Sequence, residues 1–169
     1  MAVLIPAIGT CLSRMTGGER RLAYRLEQKL EADWLLWYDV PLGPHNVHPD
    51  FVVFNPRRGL LVLEVKDWKL DTIQEIDRQS ASLLTADGLK RVSNPLEQAR
   101  QYAHAVCNLL ERDPQLTINS GRQQGKLLFP WGYGIVLANI SRKQFESTNL
   151  GEVIEPQRVI CQDEMTESV

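Results

Sequence analysis

The stretch "HPDFVVFNPRRGLLVLEVKDWK", residues 48–69, decides the fold that this sequence predicts. Two apolar runs rich in β-branched and aromatic residues flank "PRRG", whose proline and glycine are typical of a turn. The pattern predicts two antiparallel strands, 50–55 and 60–66, joined as a hairpin. Glu64 and Lys66 are unusual in so apolar a strand, and they project to the same face because side chains alternate along a strand.

The register of this hairpin determines which side chain lies opposite Glu64. If the loop has an odd number of residues and is centred near Arg57, Asp50 lies across from Glu64 with the two Cβ atoms about 5 Å apart. Two carboxylates at that separation repel each other unless a cation lies between them. A loop with an even number of residues would turn Asp50 to the other face. The spacing alone also allows an ordinary solvated ion pair between Glu64 and Lys66.

The odd register would assemble groups suited to phosphodiester hydrolysis. A hard divalent cation such as Mg²⁺ (or Mn²⁺) prefers oxygen ligands and keeps several waters, so it suits a pair of carboxylates. A lysine beside such an ion can orient a water molecule or stabilise negative charge on a phosphate. Asp50, Glu64 and Lys66 are therefore candidate catalytic residues.

Two amphipathic helices are predicted to flank the hairpin. One begins at Thr16 with a capping box completed by Glu19, which also lies on the apolar stripe of that helix and so points at the core or at a cleft. The other begins at the cap Asn94 and carries Gln98 and Tyr102 four residues apart on one face. These two residues are interpreted either as substrate contacts or as an ordinary helix edge.

The remaining elements complete an α/β pattern. Further strands are predicted over 34–40 and 133–140, with a weaker hairpin over 72–88. The order of helices and strands predicts a mixed sheet flanked by helices. The four tryptophans are interpreted as core or core-rim residues, and Trp68 stays open between the core and a stacking role because it directly follows the strand of Glu64.

Composition narrows the classes of protein. A chain of 169 residues can form one domain with a substantial core. Its net charge of −2 counts against a protein that coats DNA through a global positive field. Three cysteines far apart in the sequence indicate a reducing, cytoplasmic location. No segment approaches the ~20 apolar residues of a membrane helix, so no membrane partner is expected.

Three blocks, "GGERRLAYRL", "HPDFVVFNPRRGLLVLEVKDWK" and "NPLEQARQYAHAV", resemble in order and spacing the nuclease-related domain (NERD) family of the PD-(D/E)XK superfamily. The resemblance implies a restriction-endonuclease-like fold, a central mixed β-sheet flanked by α-helices. It also implies a Mg²⁺-dependent site that cuts nucleic acid, with DNA favoured. Residues 1–15 are interpreted as an N-terminal extension, 16–160 as the nuclease-like domain, and 161–169 as an acidic tail that could begin a linker to a further domain.

The resemblance also assigns roles to individual residues. It implies that Asp50 and Glu64 are metal ligands together with the backbone carbonyl of Val65, that Lys66 is the catalytic lysine, and that Glu19 is the first-helix acid. Gln98 and Tyr102 are similar to the Gln-x-x-x-Tyr signature of the RecB-like nuclease branch, which implies substrate binding.

The resemblance also implies a partner: NERD domains often precede helicase, kinase or other domains in one polypeptide, so a fused or associated helicase is expected. The alternative is a catalytically inactive, nuclease-like module that binds DNA or a partner protein.

Overall fold

The computed structural model describes residues 1–166. Its strands are β1 (Val3–Ile5), β2 (Leu35–Tyr38), β3 (Phe51–Asn55), β4 (Gly59–Lys66), β5 (Ile73–Ile76), β6 (Ser80–Thr85), β7 (Gly88–Ser93), β8 (Trp131–Leu137) and β9 (Val159–Cys161). Its α-helices are α1 (Ile8–Cys11), α2 (Gly17–Lys29), α3 (Pro95–Leu110), α4 (Arg142–Glu146) and α5 (Gln162–Thr166).

A mixed six-stranded sheet in the order β1-β2-β3-β4-β8-β9 forms the centre of the fold. Strands β2, β3 and β4 are antiparallel neighbours, whereas β1–β2, β4–β8 and β8–β9 are parallel pairs. Strands β5, β6 and β7 form a separate antiparallel sheet, inserted in the chain between β4 and α3. The predicted α/β class, with a mixed central sheet flanked by helices, is confirmed.

The two long helices cover opposite faces of the central sheet. Leu22 of α2 packs in one apolar cluster with Val65, and Ala103 of α3 packs in another with Val62. Strand β4 is therefore buried on both sides, which explains its nearly continuous apolar run. Because side chains alternate, Glu64 shares the α3 face with Val62.

The first fifteen residues differ from the predicted N-terminal extension. Strand β1 pairs with β2 at the edge of the central sheet, and Leu4 and Cys11 are buried in the cluster beneath α2. Only Leu4 of the three β1 residues is buried, so this short strand has too little pattern to be recognised from the sequence.

The C-terminal segment also differs from the predicted acidic tail. Cys161 is in β9, α5 follows it, and Met165 is buried in the cluster beneath α2. Glu164 is bound by Arg142, whose Nη2 is 2.9 Å from Oε2 of the carboxylate. The acidic residues of this segment suggested a solvent-exposed tail. The segment packs on the domain because Arg142, which is distant in sequence, balances the negative charge of Glu164. Residues 167–169, where a linker was predicted to continue, lie outside the described residues.

The predicted hairpin over 72–88 is part of a three-stranded sheet. Its third strand, β7, has mostly exposed side chains and so no alternation of apolar and polar residues to reveal it. Within residues 1–166, no helix combines the length and the apolar character needed to cross a membrane. Cys11, Cys107 and Cys161 are buried free thiols.

Candidate active site

The hairpin of β3 and β4 has the odd-length loop. Asn55 pairs with Gly59 and Phe51 pairs with Leu63, which leaves a loop centred on Arg57. Continuing the same register by one residue places Asp50 opposite Glu64. The predicted register is therefore confirmed.

The two residues that flank the loop fix this register. The side-chain oxygen of Asn55, which is buried, accepts the backbone N–H of Arg57 at 2.9 Å, while its amide donates to Asp33. Gly59 has a positive φ of 102°, and a Cβ there would collide with the carbonyl oxygen of Pro130. Only glycine fits such a position without strain.

Each of the two carboxylates accepts a hydrogen bond from the backbone of the other strand of the hairpin. The backbone N–H of Asp50 donates to Oε1 of Glu64 at 3.0 Å, and the N–H of Val65 donates to Oδ2 of Asp50 at 2.8 Å. Glu64 is only 2% exposed. These contacts join the acidic pair to the backbone at the open end of the hairpin.

Burial makes this acidic pair hard to ionise. Burial, and then the negative charge of Asp50, raises the pKa of Glu64 to about 8. Burial also raises the pKa of Asp50 to about 6, to which the negative charge of Glu19 contributes. The positive charge of Lys66 acts in the opposite direction and lowers the pKa of both carboxyls. The ammonium of Lys66 therefore lies within electrostatic range of both carboxyls.

The carbonyl of Val65 faces the same side as Asp50. The N–H and C=O of one residue in a strand point the same way, and the N–H of Val65 is bonded to Asp50. In the continued register the residue opposite Val65 is Pro49, which has no N–H to donate. This carbonyl thus lacks its usual cross-strand donor.

Glu19 serves as a helix cap and also lies near the acidic pair. Oγ1 of Thr16 accepts the N–H of Glu19 at 3.2 Å, and Oε2 of Glu19 accepts the N–H of Thr16 at 3.1 Å. The same Oε2 accepts the hydroxyl of Tyr38 at 2.7 Å. The predicted capping box is confirmed, and the contribution of Glu19 to the pKa of Asp50 places its charge near the pair.

Tyr38 is a residue of the site that the sequence pattern does not single out. It ends β2 and pairs with Phe51, so it stands beside the position of Asp50. Burial, reinforced by the hydrogen bond to Glu19, raises the pKa of its hydroxyl well above the ordinary value, so it remains a donor to that carboxylate. Its end-of-strand position beside the hairpin is the signal that could have identified it.

The start of α2 is locked against the ends of β4 and β8. Oδ1 of Asp67 accepts the N–H of Gly18 at 2.8 Å, and the amide of Asn139 donates to the carbonyl of Asp67 at 2.7 Å. A Cβ on Gly18 would lie 2.6 Å from the Cβ of Ala138 and 2.6 Å from Oδ1 of Asp67. This packing sets the position of Glu19 relative to β4.

Gln98 and Tyr102 lie on α3, which covers the face that carries Glu64. Nε2 of Gln98 is 3.1 Å from the hydroxyl of Tyr102, whose ring packs against the cluster containing Val62. The two residues share one face of α3, as predicted. Their contact with a substrate stays a prediction.

One ring nitrogen of His48 contacts a neighbouring acid. Its Nδ1 lies 3.0 Å from Oδ1 of Asp39, and Oδ2 of Asp39 accepts from Arg14 at 3.1 Å. His48 is thus part of a surface hydrogen-bond network in the loop that precedes Asp50.

The donor set fits a hard divalent cation. Among residues 1–166, no three His, Cys, Asp or Glu side chains cluster closely enough to hold a metal ion by themselves. Mg²⁺, however, is commonly bound by one or two carboxylates, with waters and substrate phosphates completing the shell. Asp50, Glu64 and the Val65 carbonyl supply oxygen atoms of this kind. When Asp50, Glu64 and Glu19 are ionised, their three negative charges exceed the single positive charge of Lys66. A divalent cation would neutralise the difference.

Comparison with known proteins identifies the family. The model of the nuclease-related domain (NERD) family matches residues 15–129, well over half of the chain. The matched part contains α2, the hairpin and α3, whereas β8 and β9 extend the same sheet beyond it. No curated protein and no solved structure matches the chain. The chain therefore belongs to the nuclease-related domain family.

Proposed function

We propose that the protein is a Mg²⁺- or Mn²⁺-dependent nuclease that hydrolyses phosphodiester bonds, preferably in DNA. Asp50, Glu64 and the carbonyl of Val65 would hold the metal, and Lys66 would assist the chemistry. The observation that carries the proposal is a buried acidic pair near the amine of Lys66. Burial raises the pKa of both carboxyls, so two negative charges there would need compensation. A divalent cation would supply that compensation.

When bound, the metal would lower the pKa of a coordinated water and neutralise charge on the phosphate. The chain's own groups would orient the reactants. The ammonium of Lys66 would hold the attacking water or the negative charge that develops on a phosphate oxygen. Tyr38 and Thr16 hold Oε2 of Glu19, which leaves Oε1 of that carboxylate to face the pair or a water.

The substrate would approach from the α3 side, where Gln98 and Tyr102 are the proposed contacts. A helicase, fused or associated, is the proposed protein partner, in line with the family. The three buried free thiols support a reducing cytoplasm as the proposed location.

The test is cleavage of labelled single- and double-stranded DNA and RNA by purified protein, with Mg²⁺, Mn²⁺ or a chelator. Asp50→Asn and Lys66→Met should each reduce the metal-dependent rate by at least about 100-fold. The exposed residues Glu75 and Lys29 provide matched controls, Glu75→Gln and Lys29→Met, which should cleave like the wild type. Circular dichroism would verify that every variant is folded. Equal cleavage by the wild type and both site variants would rule the proposal out.

A second candidate function is an inactive, nuclease-like module that binds DNA or a partner protein. It is favoured by the fact that the carboxylates of Asp50 and Glu64 already accept backbone N–H groups, so the pair is satisfied in part by the protein alone. Calorimetric titration with Mn²⁺ separates the two functions. Saturable binding that disappears in Asp50→Asn supports the nuclease, and no saturable binding supports the module.

A further inference from the structure

Trp68 packs differently from the tryptophans of the core. Trp34 packs against the cluster beneath α2, and Trp37 packs against a cluster beneath α3. Within residues 1–166, Trp68 belongs to none of the apolar clusters and makes no ring contact with another aromatic side chain. It is partly exposed. A large apolar ring outside the core is a surface available to a ligand.

The backbone on both sides of Trp68 is fixed. Asp67 is bound by Gly18 and by Asn139. The carbonyl of Lys69 accepts both the N–H of Thr72, at 3.0 Å, and its hydroxyl, at 2.7 Å. Trp68 is thus mounted between two anchored residues, and little backbone freedom would be lost when a ligand binds to it.

The position of Trp68 relates it to the candidate active site. It follows Lys66 by two residues, so the two Cα atoms are at most about 7 Å apart. The same segment borders an open cavity of about 620 Å³ that is lined by Lys69, Asp71, the apolar Leu70 and three side-chain amides, Asn139, Gln144 and Gln162. Lys69 is exposed and can meet a phosphate, and the amides can meet base edges or sugars.

We infer that Trp68 is a stacking platform for an unpaired nucleobase of a single-stranded segment that lies across the site, with Lys69 contacting the backbone of the same strand. An aromatic face beside a cation is the combination that binds single-stranded nucleic acid with little sequence preference. A base inside an intact duplex cannot present its face in this way. The inference rests on the proposed nuclease function and adds that the preferred substrate is single-stranded or locally unpaired.

The experiment measures binding without cleavage. Fluorescein-labelled oligodeoxythymidine of twelve nucleotides, the matching RNA, and a blunt duplex are titrated with protein in a chelator, and anisotropy is recorded. Trp68→Ala should weaken single-strand binding by about 5- to 150-fold, as expected for one lost stacking contact. Trp68→Phe should restore most of it, and duplex binding should change little.

Trp131 provides the matched control. It is 40% exposed and pairs with Leu60, near the other end of the parallel β4–β8 pair, about 20 Å from Lys66 along the strand. Trp131→Ala should leave single-strand binding unchanged. In addition, unlabelled oligonucleotide should quench the intrinsic fluorescence of the wild type and of Trp131→Phe, but not that of Trp68→Phe.

The outcomes separate the inference from the proposed function. If Trp68→Ala binds the single strand as tightly as the wild type while the wild type cleaves DNA with Mn²⁺, the stacking role is wrong and the nuclease stands. If Trp68→Ala loses binding and the wild type does not cleave, the stacking role stands and the nuclease is wrong. Equal losses in Trp68→Ala and Trp131→Ala would also overturn the inference.

Discussion

Replacing Glu64 with glutamine should stabilise the metal-free protein at high pH while abolishing the proposed metal site. Glu64 is 2% exposed, and its folded-state pKa of about 8 lies above the ordinary glutamate pKa of 4.5. The folded state therefore holds a proton that the unfolded chain has already released. Linkage gives the sign: this stability is fully present below pH 4.5 and is lost as the pH rises towards 8. Glutamine keeps the shape of the side chain and removes the ionisation.

The magnitude follows from the interval between the two pKa values. A proton held only by the folded state contributes about 1.4 kcal/mol per pH unit. Between pH 5 and pH 8 we expect the wild type to lose roughly 2 to 4 kcal/mol more of its free energy of unfolding than Glu64→Gln does. Asp50 adds a smaller loss of the same sign, because its pKa is raised to about 6.

Urea denaturation followed by circular dichroism at several pH values, in a chelator, measures this difference. Glu75→Gln, an exposed glutamate on β5, is the control and should follow the wild-type curve. Mn²⁺ should restore the wild type at pH 8 and leave Glu64→Gln unaffected, because a ligand that binds only the folded state stabilises it. If Glu64→Gln and the wild type lose stability in parallel between pH 5 and pH 8, the carboxyl is not held in an unfavourable charged environment.

Three further predictions test the surroundings of the acidic pair. Gly18→Ala should destabilise the protein by about 1–3 kcal/mol in urea denaturation because its Cβ would meet Ala138 and Asp67, whereas Gly17→Ala, with open space around it, should not; equal effects would contradict the close approach. Tyr38→Phe should lower the free energy of unfolding by about 1–3 kcal/mol, since it removes a buried hydrogen bond to a carboxylate. It should also lower the rate of Mn²⁺-dependent cleavage more than it changes the KM for DNA. A variant with wild-type stability and rate would refute this. Mn²⁺ binding at pH 7 should release about one proton, mainly from Glu64, and this release should vanish by pH 9–10. Calorimetry in buffers of different ionisation enthalpy measures the number of protons released. A proton release that does not depend on pH would refute the prediction.

The parts of the fold that the sequence predicts well are those with local, repeated signals. The hairpin is defined by two apolar runs around a turn, and α2 and α3 by caps and a periodic apolar stripe. Strands β1, β7 and β9 could not be predicted from local patterns because they are short or exposed. They form strands by pairing with a neighbouring strand. Helix α5 likewise depends on the contact between its Glu164 and Arg142, 22 residues apart in the chain, that no local pattern encodes.

The pairing of Asp50 with Glu64 could be predicted because it depends only on whether the hairpin loop has an odd or an even number of residues. Once the turn is centred on Arg57, the alternation of side chains fixes the face of Glu64 and the partner of Asp50 together. The roles of Tyr38 and Asp67 could not be anticipated in the same way. Both act across elements, one from β2 to the first turn of α2 and the other from the end of β4 to the same turn. Their partners are set by how α2 packs on the sheet, which the periodicity of α2 does not specify.

Strand β4 carries both Glu64, whose ionisation is unfavourable, and the apolar side chains whose burial offsets that energy. Leu63 and Val65 are buried beneath α2 and Val62 beneath α3, and each fully buried aliphatic side chain of this kind contributes about 1.5–3 kcal/mol. That sum exceeds the roughly 2–4 kcal/mol expected for forcing Glu64 to ionise at pH 8. The strand can therefore keep a buried, charged carboxyl in register without unfolding, which a less buried edge strand such as β1 could not do. The central position of β4, with helices on both faces, would thus allow this hairpin to carry the proposed metal site.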